Sequence, residues 1–212
     1  MVFDAFLKRV QGLPLVDLRA LPPEERNSSS LKVQISRWVR AGRLIQLKRS
    51  LYLLAEPYRK VNPSELYLAG VLKSPSYVSL EKALEFHGLI PEAVAVYTSV
   101  TTKRTESFNT PAGRYEYRHV KPSLFWGYAS RTMDGQTVFM ALPEKALLDF
   151  FYLRHPKVSL DYLREMRLQN AENIALGRLA EYARRFQKKN LTRTVQLIGE
   201  YIQTEKKGTK RL

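Results

Sequence analysis

Between Ser28 and Leu53 the chain gathers positive charge and hydrogen-bond donors at regular spacing. With Leu31 at zero and about 100° per residue, Leu31, Ile35, Trp38 and Val39 share one apolar stripe. Lys32, Val33, Ser36, Arg37 and Arg40 fall on the opposite side. Arg and Lys reach phosphates or guanine edges, Gln pairs with adenine, and a valine methyl touches thymine. On one side of a short helix, that combination suits the major groove of a duplex. The expected DNA-contact set is Ser29, Ser30, Lys32, Val33, Gln34, Ser36, Arg37, Arg40, Arg43, Lys48 and Arg49. The plain alternative is a solvated helix face, since charged faces usually meet only water. Trp38 belongs to the core side in either case.

The elements around these residues favour contact. Serine caps a helix because its hydroxyl accepts from an unpaired backbone N–H, and Ser28, Ser29 and Ser30 stand at the start. Gly42 sits where a C-terminal glycine stops a helix. Leu44 to Leu47 and Leu51 to Leu54 read as strands, with Lys48-Arg49-Ser50 as the tip between them. A helix followed by a small basic hairpin is the reading half of a winged helix-turn-helix.

Three other constellations could carry chemistry. His87, His119 and His155 show no metal-ligand spacing, so no metal site is expected, and His87 reads as a cap or core residue. Glu144, Lys145 and Asp149 share one predicted helix, where Asp149 four residues after Lys145 suits a helix-surface pair rather than a catalytic centre. Tyr115, Tyr117, Trp126 and Tyr128 alternate on strands near Arg114, Arg118, Lys121 and Arg131. Such aromatics can stack bases, but filling a sheet core is the favoured reading. No glycine-rich phosphate loop and no cofactor motif is present, so no catalytic residue and no cofactor is expected.

Along the chain, residues 3–10 read as a helix, Leu15 to Arg19 as the start of a second, and Glu24 to Ser28 as a polar loop. Asn62-Pro63 opens a helix through Leu72, Ser76 to Val78 is a strand, and Ser79 caps a helix from Leu80 to His87. Strands follow over Ala93 to Lys103 and Tyr115 to Val120. A hairpin then turns at Asp134-Gly135, and a helix opens at Pro143. The tail is helical. Arg178, Arg185, Lys188 and Lys189 are expected on an outward face, as a surface for DNA or a partner. The fold class expected is α+β. A winged helix-turn-helix over 1–57 precedes a mixed α/β domain over 61–205, with an antiparallel sheet and helical tail. A basic, disordered end covers 206–212.

The 212 residues carry a net charge of +15, which favours a polyanionic or acidic partner. Residues 1–60 hold 12 basic and 5 acidic side chains, residues 61–155 hold 10 and 9, and residues 156–212 hold 13 and 6, so two basic ends flank a neutral middle. There is no cysteine, hence no disulfide framework or thiol nucleophile. No apolar run is long enough for a membrane span, and the N-terminus reads as a short helix and not a signal peptide, so a cytoplasmic, membrane-free protein is expected.

Three stretches together resemble the AbiEi-type antitoxins, the antitoxin half of type IV abortive-infection toxin–antitoxin pairs. They are the helix end Ser36-Arg37-Trp38-Val39-Arg40-Ala41-Gly42, the run from Tyr77 to Pro91, and the run from Ala141 to Leu153. The resemblance implies an N-terminal domain that binds promoter repeats of its own operon. It also implies a C-terminal domain that assists repression and counters a nucleotidyltransferase-like toxin, often without a stable complex. The chain would be a monomer in solution or cooperative on double-stranded operator DNA. The rival readings are a stand-alone winged-helix regulator with a ligand-sensing or dimerisation domain, and a nucleic acid enzyme.

Overall fold

A computed structural model describes residues 2–209, and the chain is α+β. At the N-terminal end, α1 (Phe3–Val10), α2 (Pro23–Asn27) and α3 (Ser29–Arg40) pack on β1 (Val16–Asp17), β2 (Leu44–Lys48) and β3 (Leu51–Leu54). The strands form an antiparallel sheet in the order β1-β3-β2. Trp38 is its central plug, with its ring centroid 5.3 Å from that of Phe3 and 4.8 Å from that of Phe6. Truncating a buried Trp of this kind to Ala costs about 3–5 kcal/mol.

Two elements here differ from the sequence reading. Leu15 to Arg19 is not a helix: Val16 and Asp17 pair with Tyr52 and Leu51, and Leu18–Ala20 is a 3₁₀ turn capped by Asp17. Pairing with a strand distant in sequence overrides the local helical pattern. The segment after Pro22 is not a loop but α2, started by Pro23 at the first turn with Glu24 and Glu25 facing the positive helix end. Arg9 Nη1 and Glu25 Oε1, 2.6 Å apart, tie α2 to α1.

Both faces of the small sheet are buried. Val16, Leu44, Tyr52 and Leu54 join the core beneath α1 and α3, whereas Leu15, Leu47, Leu51 and Leu53 belong to the larger core. The small sheet therefore contributes to both cores. It is a wall of the second unit.

That unit is built on six strands: β4 (Ser76–Val78), β5 (Val96–Thr101), β6 (Glu106–Thr110), β7 (Gly113–His119), β8 (Tyr128–Met133) and β9 (Gln136–Ala141). Their order is β6-β7-β5-β4-β9-β8. The sheet is mixed and not purely antiparallel as expected, because β4 pairs parallel with β9 and β5 parallel with β7. The β5–β7 pair is reached through β6, which lies antiparallel on the far side of β7, and the β4–β9 pair closes over the intervening helix Leu80–Phe86 and strands β5 to β8. The β8–β9 turn is as read: Asp134 and Gly135 have φ of 49° and 73°, which a two-residue hairpin of this hand requires.

Four further helices complete the fold around that sheet: α4 (Glu65–Leu72), α5 (Leu80–Phe86), α6 (Pro143–Arg154) and α7 (Leu160–Glu165). The C-terminal pair is α8 (Leu176–Phe186) and α9 (Lys189–Thr209). Ser64, not Asn62, caps α4 by accepting from Tyr67 N. The backbone of α9 runs to Thr209; residues 210–212 of the basic end lie outside the described residues.

Candidate nucleic-acid interface

Ser28 starts α3, accepting from Leu31 N at 3.4 Å. A glycine-terminated cap ends it. Gly42 takes φ +67°, Gly42 N donates to Val39 O at 3.1 Å, and Arg43 N donates to Trp38 O at 2.9 Å. With Leu31, Ile35 and Trp38 buried, the helix turns Lys32, Val33, Ser36, Arg37 and Arg40 to solvent. Ser29 and Ser30 are exposed in its first turn, and Gln34 is half-buried.

A cleft of about 580 Å³ opens between α3 and the β2–β3 hairpin. Lys32, Ser36 and Arg40 line one wall, Gln46 and Arg49 the other, and Arg26 closes the end. Lys32, Arg40 and Arg49 make no ion pair among the described residues, unlike the nearby Arg9–Glu25 and Arg19–Asp17 pairs. The Arg19 guanidinium holds the Asp17 carboxyl below its ordinary range, so that acid is neutralised locally. The cleft is thus a concave, unneutralised cationic surface with two amides, Asn27 and Gln46, able to donate and accept.

Of the expected contact set, Lys32, Ser36, Arg40 and Arg49 line the cleft; Ser29, Ser30, Val33, Gln34 and Arg37 lie on α3 outside it, and Arg43 and Lys48 are engaged elsewhere. Arg43 stacks over the Phe3 ring, 4.8 Å from its centroid. Lys48 turns away from the cleft: its Nζ donates to Leu72 O and lies 5.5 Å from the Phe108 ring centroid. The cause is a β-bulge. Gln46 pairs with Tyr52, but Lys48 pairs with Leu51, so Lys48 shares a face with buried Leu51 instead of with Gln46. Burial then pushes the Lys48 amine below the usual lysine range. The cleft also takes in Arg26 and Gln46, which are outside the expected set. Strand alternation with Leu44 is the signal that flags Gln46; Arg26 falls in a stretch whose sequence reads as a loop.

The acidic-basic helix cluster is interior, not on a surface. Glu144, Lys145 and Asp149 are all buried. Asp149 accepts from Lys145 Nζ, from Tyr77 Oη at 2.9 Å and from Ser79 Oγ at 2.8 Å. Ser79, expected as a helix cap, commits its hydroxyl here. Lys145 Nζ also donates to Tyr77 Oη at 2.8 Å and lies 5.1 Å from the Trp126 and Phe186 ring centroids. Burial pushes the Lys145 amine below its usual range, against the pull of Asp149. Burial and the Asp149 charge hold the Tyr77 phenol well above its own. Gly127, at φ +75°, packs on this lysine; an added Cβ would stand 3.0 Å from Lys145 Cγ. The cluster braces α6 against β4 and is closed to solvent.

Tyr115 and Tyr117 fill the core, their hydroxyls donating to Ala112 O and Ala69 O. Tyr128 stacks on Tyr77 with centroids 4.6 Å apart. Arg114 is paired with Glu116. His87 Nε2 lies 2.8 Å from Ala141 O. The expected cationic face of the tail is partly anchored. Arg178 Nη1 lies 3.6 Å from buried Glu144 Oε2, and the Arg185 guanidinium lies 3.6 Å from the Trp126 ring centroid. Lys188 and Lys189 are exposed beyond them.

No family model matches the chain, and no curated protein matches it. Among the described residues, no helix is long and apolar enough to cross a membrane.

Proposed function

We propose that the chain is a winged helix-turn-helix repressor that binds duplex DNA through the cleft between α3 and the β2–β3 hairpin. In this reading α2 and α3 form the helix-turn-helix and α3 enters the major groove. The hairpin is the wing, and Arg49 at its tip meets the flanking backbone. The observation that carries the reading is the set of unpaired cations, Lys32, Arg40 and Arg49, on facing walls of one cleft. Ser36 and Gln46 between them supply base-edge hydrogen bonds. The resemblance to AbiEi-type antitoxins extends the proposal: the operator lies in the chain's own promoter, and the second unit counters a nucleotidyltransferase-like toxin.

Fluorescence anisotropy with duplexes tiled across that promoter tests the DNA half. Removing a single phosphate contact should flatten the slope of log K against log salt by about 0.9. Arg40→Ala and Arg49→Ala should each show that change or a weakening at one base position. Affinity and slope unchanged in both variants would reject the interface. The antitoxin half requires a toxin-like reading frame beside this gene whose growth arrest the chain relieves on co-expression; absence of such a frame, or continued arrest, would reject it.

A further inference from the structure

The six-stranded sheet has two edges, and they are treated differently. At the β6 edge, Lys48 of the hairpin covers the Phe108 ring and Lys73 pairs with Glu106. At the other edge, β8 bonds to β9 alone, and residues 129–132 are all exposed. In an antiparallel ladder closed by a two-residue turn, residues alternate between facing the partner strand and facing out. Met133, Arg131 and Ala129 therefore bond inward, while Tyr128, Ser130 and Thr132 point N–H and C=O groups outward.

Bare edges are normally protected by shortness, proline, bulges or charged side chains, of which β8 carries one, Arg131. β8 has six residues, no proline, and an unbroken register from Tyr128↔Ala141 to Met133↔Gln136. Beside it, Phe139 is 46% exposed and opposite Ser130 in register. Phe139 and Tyr128, with ring centroids 6.0 Å apart, help line an apolar groove of about 380 Å³ with Phe125 and Tyr67.

We propose that this edge and groove dock an extended, acidic segment of a partner protein by strand addition. Backbone bonds to Ser130 and Thr132 would hold the segment, and alternate apolar side chains would rest on Phe139 and Tyr128. Charge selects the occupant. Arg131 is the one charged side chain on β8; it is exposed, stands 5.6 Å over the Phe86 ring, and makes no ion pair among the described residues. Among the described residues, no carboxylate lines the groove. A second copy would bring a like net charge of +15, whereas an acidic strand is attracted to the chain and matched to Arg131.

The test is selection of random decapeptides displayed on phage against the full chain, at about 0.15 M ionic strength, where charges more than about 8 Å apart are screened. Enriched peptides should alternate apolar with polar residues and carry Asp or Glu. A synthetic winner should shift backbone amide signals along residues 128–133. It should bind about tenfold or more weakly to Ser130→Pro, which removes an outward N–H, and to Arg131→Glu. Should Ser130→Pro not fold, Arg131→Glu and the amide shifts decide. The proposal is overturned by no enrichment, or by winners whose affinity both variants leave intact. It is also overturned if the free chain sediments as a dimer that Arg131→Glu disrupts, which would make the occupant a second copy.

Discussion

Replacing Asp149 with Ala should unfold this protein's interior in a pH-dependent way. The carboxylate is the shared acceptor for Lys145, Tyr77 and Ser79 at a fully buried site. Its removal leaves an ammonium among the Trp126, Phe186 and Tyr77 rings with no counter-charge. Removing one partner of a buried pair costs about 3–5 kcal/mol. The charge part has a ceiling, because Lys145 can instead release its proton on folding. From an ordinary lysine value of about 10.4, that release costs about 4.6 kcal/mol at pH 7 and about 1.9 kcal/mol at pH 9. The stranded Ser79 and Tyr77 hydroxyls add about 1–3 kcal/mol that does not vary with pH over this range. Urea unfolding of Asp149→Ala should therefore show a penalty near 5 kcal/mol, to about one unit, at pH 7, shrinking by more than about 1.5 kcal/mol by pH 9. Lys145→Met should cost less, because Asp149 keeps two hydroxyl donors and a thioether fits the aromatic surroundings. A penalty under about 1 kcal/mol, or one flat in pH, would refute the reasoning.

Other outcomes follow from the same contacts. Lys48→Ala should lower stability by about 1 kcal/mol, through the Leu72 carbonyl left without its donor, yet leave the salt dependence of DNA binding unchanged in anisotropy titrations. Residues 61–212 alone, lacking Leu15, Leu47, Leu51 and Leu53, should unfold at lower urea than the full chain and self-associate in sedimentation; equal stability would show that the shared wall contributes nothing. Burial pushes the His87 imidazole below its ordinary 6.5, so the unfolded chain takes up the proton first as pH falls. Stability should then decline on acidification below 6.5, and His87→Gln should flatten that stretch of the stability–pH curve. Gly127→Ala should destabilise through both its positive φ and the contact with Lys145, measured as a lower melting temperature.

Local rules are enough wherever a residue's neighbours in sequence are also its neighbours in space. The stripe of Leu31, Ile35 and Trp38, the Gly42 stop and the Asp134-Gly135 turn follow from helical angle and backbone sterics, so α3, its exposed cationic side and the β8–β9 hairpin are legible without coordinates. The α+β class follows from the same periodicities. What the sequence leaves open depends on pairing between distant segments. Val16 and Asp17 become a strand only because β3 lies beside them, and parallel neighbours make the large sheet mixed. One extra residue in β2 moves Lys48 from the cleft into the shared wall. Lys145 and Asp149, at a spacing that a surface helix and a buried one share equally, are interior because Tyr77 and Ser79 from another segment satisfy them. Charge type and helical phase are properties of the chain; which cations stay unpaired, and which are absorbed by a carbonyl or an aromatic ring, is decided by what the tertiary fold brings within a few ångströms of each one.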